Sequence, residues 1–308
     1  MESEATTLRW IEISVAVDGE AAEAVSALFE QYGEGGAVIE ETPTPHRPLG
    51  AGGGRGVARV AKAFLPASEG ERLQRLQEAL WHLSQVYPLP EPQVRELGPA
   101  DWAEAWKAGY KVLAVGRRLR IVPSWIAYTP GPGEVVITLD PGMAFGTGLH
   151  PTTQLTLQAL EELVQPGMRI LDVGTGSGIL AIAAARLGAA EVLALDIDGV
   201  AVRTARENAA LNGVAGTVHV LQGSVDDRYH GTFDGVAANI LAEIIARLAG
   251  DLGRHVADDG WLVVSGILES RLPAVERALA VAALGIHRRW QAGDWLALEA
   301  RRQGQEHG

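Results

Sequence analysis

Residues 169–187 read RILDVGTGSGILAIAAARL. The opening RILDV (169–173) is a short aliphatic run of strand length, too short for a helix of its own. Gly174, Gly176 and Gly178 follow at alternate positions, and residues 178–187 are rich in helix-forming Leu and Ala. A buried strand that runs through a glycine turn into a helix begins a βα unit of a parallel sheet.

The same texture continues on both sides. Downstream, EVLALD (191–196) reads as a strand before a helix over 199–212. Strands at 217–221 and 233–238, a helix at 241–256, a strand at 261–265 and a helix at 270–283 come next. GIHRRWQAGDWLALEARR (285–302) reads as a hairpin turning at Ala292–Gly293. Upstream, a helix over 151–164 starts with Pro151 in its first turn. Regular βα alternation predicts a doubly wound α/β domain, with helices on both faces and an antiparallel strand added at the end.

Residues 1–97 have a different rhythm. Strands are expected at 8–17, 36–41, 57–65 and 92–97. Helices are expected at 20–32, where Ala21, Ala24, Val25, Leu28, Phe29 and Tyr32 form one stripe, and at 69–84, where Leu73, Leu76, Leu80 and Leu83 do. The order β-α-β-β-α-β is the ferredoxin-like arrangement. A Pro/Gly-rich loop, TPTPHRPLGAGGGRG (42–56), interrupts it. GPADWAEAWKAGY (98–110) reads as a helical connector, with Asp101 as its N-cap and Glu104 three residues on. After it, RLRIVPSW and EVVITLD are two strand-like pieces. The expected division is a ferredoxin-like domain at 1–97, a connector at 98–110 and a catalytic domain at 111–308.

Composition narrows the function. Of 308 residues 47% are hydrophobic and 21% charged, the mixture of a soluble globular protein. No run of about 18 apolar residues is free of charge, and MESEATTLRW at the N-terminus lacks the basic and apolar segments of a secretory signal. The absence of cysteine excludes disulfides, thiolate catalysis and cysteine-bound zinc, and makes the cytoplasm the default location. A net charge of −12 argues against docking on a phosphate backbone. No metal site, membrane contact or direct nucleic-acid binding is expected, and a monomer is.

The chemistry concentrates at strand ends. Asp172-Val-Gly-Thr-Gly-Ser-Gly178 places an acid and alternating glycines at the carboxyl end of a parallel strand, where open α/β sheets bind ligands. A dinucleotide loop would read G-x-G-x-x-G/A, and position 179 is Ile. The Asp172 carboxylate suits a ligand with ammonium and sulfonium groups better than a pyrophosphate. Asp196 ends the next strand, where a carboxylate accepts both ribose hydroxyls of an adenosine-type ligand. Its other reading, a cap for helix 199–212, fits Asp198 better. Asp226 is either a partner for an adenine amine or a solvated loop acid. Asn239, in AANIL, either orients an attacking amine or caps the helix that follows. LDPGMAFGTGLHPTT (139–153) is a glycine-rich segment suited to closing over a cofactor, and carries Phe145, Thr147, His150, Thr152 and Thr153. Phe145 could pack on an aliphatic chain or a cation, and His150 is either a base or a structural residue next to Pro151. There is no G-x-x-x-x-G-K-[ST] loop, no H-E-x-x-H pair and no G-x-S-x-G elbow.

DPGMAFGTGLHPTT, ILDVGTGSGILAIAAARLGA, ALDIDGVAVRTARENAALNG and ANILAEII follow one another in order. In this the chain resembles the PrmA-type methyltransferases that modify large-subunit ribosomal protein eleven. The likeness spans residues 98–265 most closely, including WAEAWKAGYKVLAVGRRLRIVPSW. The glycine loop is common to class I methyltransferases, whereas AFGTGxHPTT and the NIL motif are more specific. Many amine-methylating relatives have Asn-Pro-Pro-Tyr where this chain has Asn239-Ile-Leu-Ala.

The resemblance implies a Rossmann-like, mostly parallel seven-stranded sheet and S-adenosyl-L-methionine as methyl donor, with S-adenosyl-L-homocysteine as product. It carries cofactor contacts onto Thr153, Gly174, Asp196 and Asn239; the residue pattern itself adds Asp172, Gly176 and Gly178 of the glycine loop and Thr147 of the 139–153 segment as expected cofactor-binding residues. It also implies methylation of lysine side chains and the N-terminal amine, with the N-terminal domain recognising the protein substrate. Other readings are methylation of a different protein or small amine, a binding module without catalysis, and an NAD enzyme.

Overall fold

The computed structural model describes residues 9–17, 21, 24–25, 28–29, 32–42, 58–84, 89–98, 111–140, 148–225 and 231–302. The chain divides into two compact units, Met1–Tyr110 and Lys111–Gly308. The expected loop at 42–56 beyond Thr42, and the expected connector apart from Gly98, lie outside the described residues.

In the first unit β1 (Trp10–Val17), β2 (Glu34–Thr42), β3 (Ala58–Pro66) and β4 (Gln93–Leu97) form an antiparallel sheet in the order β2-β3-β1-β4. The alternation in β1 sends Ile13, Val15 and Val17 to one face. There they meet Ala21, Val25 and Phe29, which are helical, and Leu76 and Leu80 of α1 (Gly70–Ser84). The helical stripe expected at 20–32 is thus the side that enters this core. The βαββαβ order and the strand order are those of a ferredoxin-like module.

The second unit opens with β5 (Leu113–Val115), β6 (Leu119–Pro123) and β7 (Val135–Leu139), a small sheet of its own. The three-residue β5 gave no signal in the sequence. The main domain follows: α2 (Pro151–Leu163), β8 (Arg169–Val173), α3 (Ile179–Leu187), β9 (Glu191–Asp196), α4 (Gly199–Leu211), β10 (Val218–Gln222) and β11 (Phe233–Asn239). It ends with α5 (Ala242–His255), β12 (Val256–Leu268), α6 (Leu272–Val281), β13 (Leu284–Ala292) and β14 (Trp295–Arg302).

The seven-stranded order is β10-β9-β8-β11-β12-β14-β13, parallel except where β14 runs antiparallel to its two neighbours. The hairpin closes over Gly293–Asp294, one residue later than expected, with Ala292 opposite Trp295. Strand β12 is longer than the expected 261–265. Val256 already pairs with Phe233, and the ladder resumes at Trp261 opposite Gly235, so residues 257–260 are taken up as an irregularity.

Two hydrophobic cores lie on the two faces of the sheet. Leu157 and Leu160 of α2, Ile182 of α3 and Ala205 of α4 pack on one face. Ile245 and Leu252 of α5, with Val275 and Leu279 of α6, pack on the other. Strand order therefore reverses between β8 and β11, with helices leaving to opposite sides. The crevice at the carboxyl ends of those two strands is where a doubly wound sheet binds its ligand. No helix among the described residues is long and apolar enough to cross a membrane.

Candidate functional site

Asp172 lies one residue before the end of β8 and is buried. The Thr175 hydroxyl donates to its Oδ2 at 2.6 Å, while its Oδ1 is buried with no hydrogen-bond partner. Burial pushes this carboxyl up to about 7; the Thr175 hydroxyl opposes the shift and the Asp196 carboxylate adds to it. A buried carboxyl oxygen without a donor costs stability unless something at the site completes it.

The loop after Asp172 is tied to the end of β9. Gly174 and Thr175 donate their N–H groups to Leu195 O at 2.8 and 3.0 Å. Gly176 N donates to Asp196 Oδ2 at 2.9 Å, and Asp198 N to Asp196 Oδ1 at 3.0 Å. Asp198 in turn caps α4, accepting from Val200 N at 2.8 Å, so the cap and Asp196 are separate groups, as the sequence suggested. Gly178 begins α3 and packs so closely on α4 that a Cβ there would sit 3.1 Å from the Cα of Ala205.

Asn239 is the last residue of β11. It does not cap α5: that position belongs to Leu241, which makes no side-chain cap. The Asn239 Nδ2 donates instead to Thr153 Oγ1 at 3.2 Å, joining residues far apart in the chain. Thr153 is buried in the first turn of α2. Between Asn239 and the glycine loop sits Ile240. Gly174 has φ +76°, and a Cβ on it would lie 2.4 Å from Ile240 Cγ2, so only glycine fits there.

His150 is the N-cap of α2. Its Nδ1 accepts from Thr152 N at 3.3 Å and lies 2.6 Å from Thr152 Oγ1. Its ring meets Trp295 edge-on, with centroids 4.7 Å apart. Burial lowers its pKa to about 4, so it is neutral at pH 7.

The described residues therefore bring Asp172, Gly174, Gly176, Asp196, Asn239 and Thr153 to the carboxyl ends of β8, β9 and β11 and the start of α2. Phe145, Thr147 and Asp226 lie outside the described residues. Sequence reasoning passed over Thr175, which holds Asp172, and Ile197, an Ile that is 75% exposed between Asp196 and Asp198. An apolar residue between two acids at a strand end was the available signal. Ser265 and Gly266 of β12 gave none. No group of three or more His, Cys, Asp or Glu residues among the described residues could hold a metal ion.

The family model for ribosomal protein L11 methyltransferase (PrmA) matches residues 9–303. The chain belongs to this family. One family member, from Chloroflexus aurantiacus, is 43% identical over 334 residues, covering 96% of this chain and 99% of its own. Another, from Pelotomaculum thermopropionicum, is also 43% identical, over 307 residues and with the same coverage. The crystal structure of a ribosomal protein L11 methylase from Lactobacillus delbrueckii subsp. bulgaricus superposes with a TM-score of 0.60 at 43% identity. It covers 63% of this chain and 100% of that one. Family membership spans both units, and the sheet is that of a class I methyltransferase.

Proposed function

We propose that this chain transfers methyl groups from S-adenosyl-L-methionine to lysine side-chain and N-terminal amines of ribosomal protein L11. The observation that carries the cofactor assignment is the unpartnered Oδ1 of Asp172. It lies near the carboxyl end of β8, beside the glycine loop, at the switch point of a sheet belonging to a methyltransferase family. A buried carboxylate with an open oxygen suits the cationic end of this cofactor. Asp196 at the neighbouring strand end suits its ribose, and the exposed side chain of Ile197 offers an apolar surface for its flat base. Gly174, Gly176 and Gly178 let the backbone approach, and Thr153 and Asn239 close the site on the β11 side. Thr147 and Phe145 belong to the same reading through the family motif.

When bound, the cofactor supplies an electrophilic methyl group on sulfonium. The chain itself needs no covalent nucleophile; its residues align and desolvate the acceptor. A free lysine has a pKa of ~10.4, so the acceptor must enter as the minor neutral amine. A site that excludes water favours that form. With its Nδ2 held by Thr153, Asn239 has Oδ1 left to accept an N–H and turn the amine lone pair toward the methyl. His150, neutral and committed to capping α2, acts on structure and not as a base. The Met1–Tyr110 unit recognises the protein substrate.

The test is to mix the purified chain, S-adenosyl-L-methionine and unmodified recombinant L11, then measure the intact mass of L11. A ladder of one-methyl steps is expected. No shift, with cofactor binding shown separately, would reject L11 as the substrate.

A further inference from the structure

Asn239 has no support from its own helix, since α5 begins only at Ala242. Its neighbours come from β12. Asn239 stands in register with Ser265, and Ile240 N donates to Ser265 O at 3.1 Å. One residue on, Gly266 takes φ +88°, and the pairing of β12 with β14 shifts register between Ser265 and Ile267. This is a β-bulge, a device that re-aims neighbouring groups at the end of a strand. A Cβ on Gly266 would lie 2.1 Å from Ile240 O and 2.9 Å from Ile240 C. The bulge backbone therefore rests directly on Ile240, the residue that follows Asn239, at its carbonyl.

Ser265 acts on the other partner. Its buried hydroxyl lies 3.0 Å from Leu296 O and 3.3 Å from Thr152 O, carbonyls that share its one hydrogen. Thr152 precedes Thr153, whose hydroxyl receives the Asn239 amide. The two bulge residues thus hold both ends of the Asn239–Thr153 hydrogen bond, one through the Ile240 peptide and one through the first turn of α2.

We propose that the Ser265–Gly266 bulge of β12 is the positioning element for Asn239, setting the direction of its carboxamide toward the acceptor amine. This rests on the methyl-transfer reading of the site. Neither residue touches the cofactor or the amine; both act through Asn239.

The test uses the full chain, L11 and S-adenosyl-L-methionine. Ser265→Ala should lower kcat about tenfold, with cofactor Kd within about twofold of wild type. Gly266→Ala, which drives a methyl into the Ile240 carbonyl, should lower it further. In the double variant Ser265→Ala/Asn239→Ala, kcat should equal that of Asn239→Ala alone, because the bulge has nothing left to position. An unchanged kcat in Ser265→Ala, an equal loss in kcat and cofactor affinity, or additive losses in the double variant would overturn the proposal. If wild type transfers no methyl to L11, the substrate reading fails by itself. The bulge is then read from the Asn239 side-chain amide resonance in asparagine-labelled protein. A displaced resonance in Ser265→Ala supports the proposal, and a resonance that stays in place overturns it.

Discussion

The glycine loop after β8 and the turn after β11 lie on neighbouring strands and face the same crevice, yet they are built in opposite ways. The loop is nearly self-contained. Thr175 holds Asp172 three residues away, and Gly178 N closes on Thr175 O at 2.9 Å. Its outside anchors come from the elements that follow it in the chain: Leu195 O and Asp196 of β9, and the Asn208 side-chain amide of α4, which donates to Ser177 O at 2.9 Å. The turn after β11 has almost nothing of its own. Asn239 is held by Thr153 from α2, and Ile240 by the bulge at Ser265–Gly266. The half of the site assigned to the cofactor is thus coded locally, whereas the half assigned to the acceptor is assembled from three separate stretches of chain. Ile240, wedged against Gly174, is the point where they touch.

Substitutions on the two sides should therefore fail differently. The largest effect is expected from Asn239→Ala. Turnover should fall about 100-fold, roughly 2.7 kcal/mol in the barrier, while cofactor affinity changes only a few-fold. Steady-state kinetics beside equilibrium dialysis of the cofactor would show this, and equal losses in both would erase the distinction between the halves.

Gly174→Ala should come next and should damage both sides, because the added methyl meets Ile240 and the residue must keep φ +76°. About a tenfold loss in cofactor affinity, a similar loss in turnover and a destabilisation of ~1–2 kcal/mol are expected. Calorimetry and thermal melts measure these, and a loss confined to affinity would mean that the wedge does not couple the halves.

The smallest effect depends on pH. Asp172 has a folded pKa of about 7 against an ordinary value of 3.8. Between those values the folded chain keeps a proton that the unfolded chain has released, so the ligand-free protein loses stability as pH rises through that window. A cationic ligand favours the ionised form. Cofactor affinity should therefore rise as pH climbs through about 7, with proton uptake by buffer on binding below it. Asp172→Asn should match wild type at pH ~6 and fall several-fold behind at pH ~8. A wild-type affinity flat in pH would remove Asp172 from the cation's surroundings.

Much of this was open to view in the sequence. The period-two strands, α1 and the helices of the second unit, the doubly wound sheet and the added hairpin follow from short-range patterns, and apart from β12 the expected elements have their ends within about two residues. The misses have physical causes. β5 is too short to carry a period, and β12 extends through ADDG (257–260) because pairing with β11, not local composition, decides where a ladder begins. The two readings of Asn239 could not be separated locally, since Asn before a helix is a good cap in any sequence. Only the structure shows Leu241 in that position and the Asn239 amide on Thr153.

By itself, then, the sequence determined the fold class, the family and the cofactor-side motif, because strand, glycine turn and helix are set by residues within hydrogen-bonding reach along the chain. The tertiary structure alone decided that Thr153, Asn239 and the Ser265–Gly266 bulge form one assembly, and that His150 is a half-buried, neutral cap. Those facts depend on which strands lie side by side and how closely their backbones approach, and no run of neighbouring residues encodes that distance.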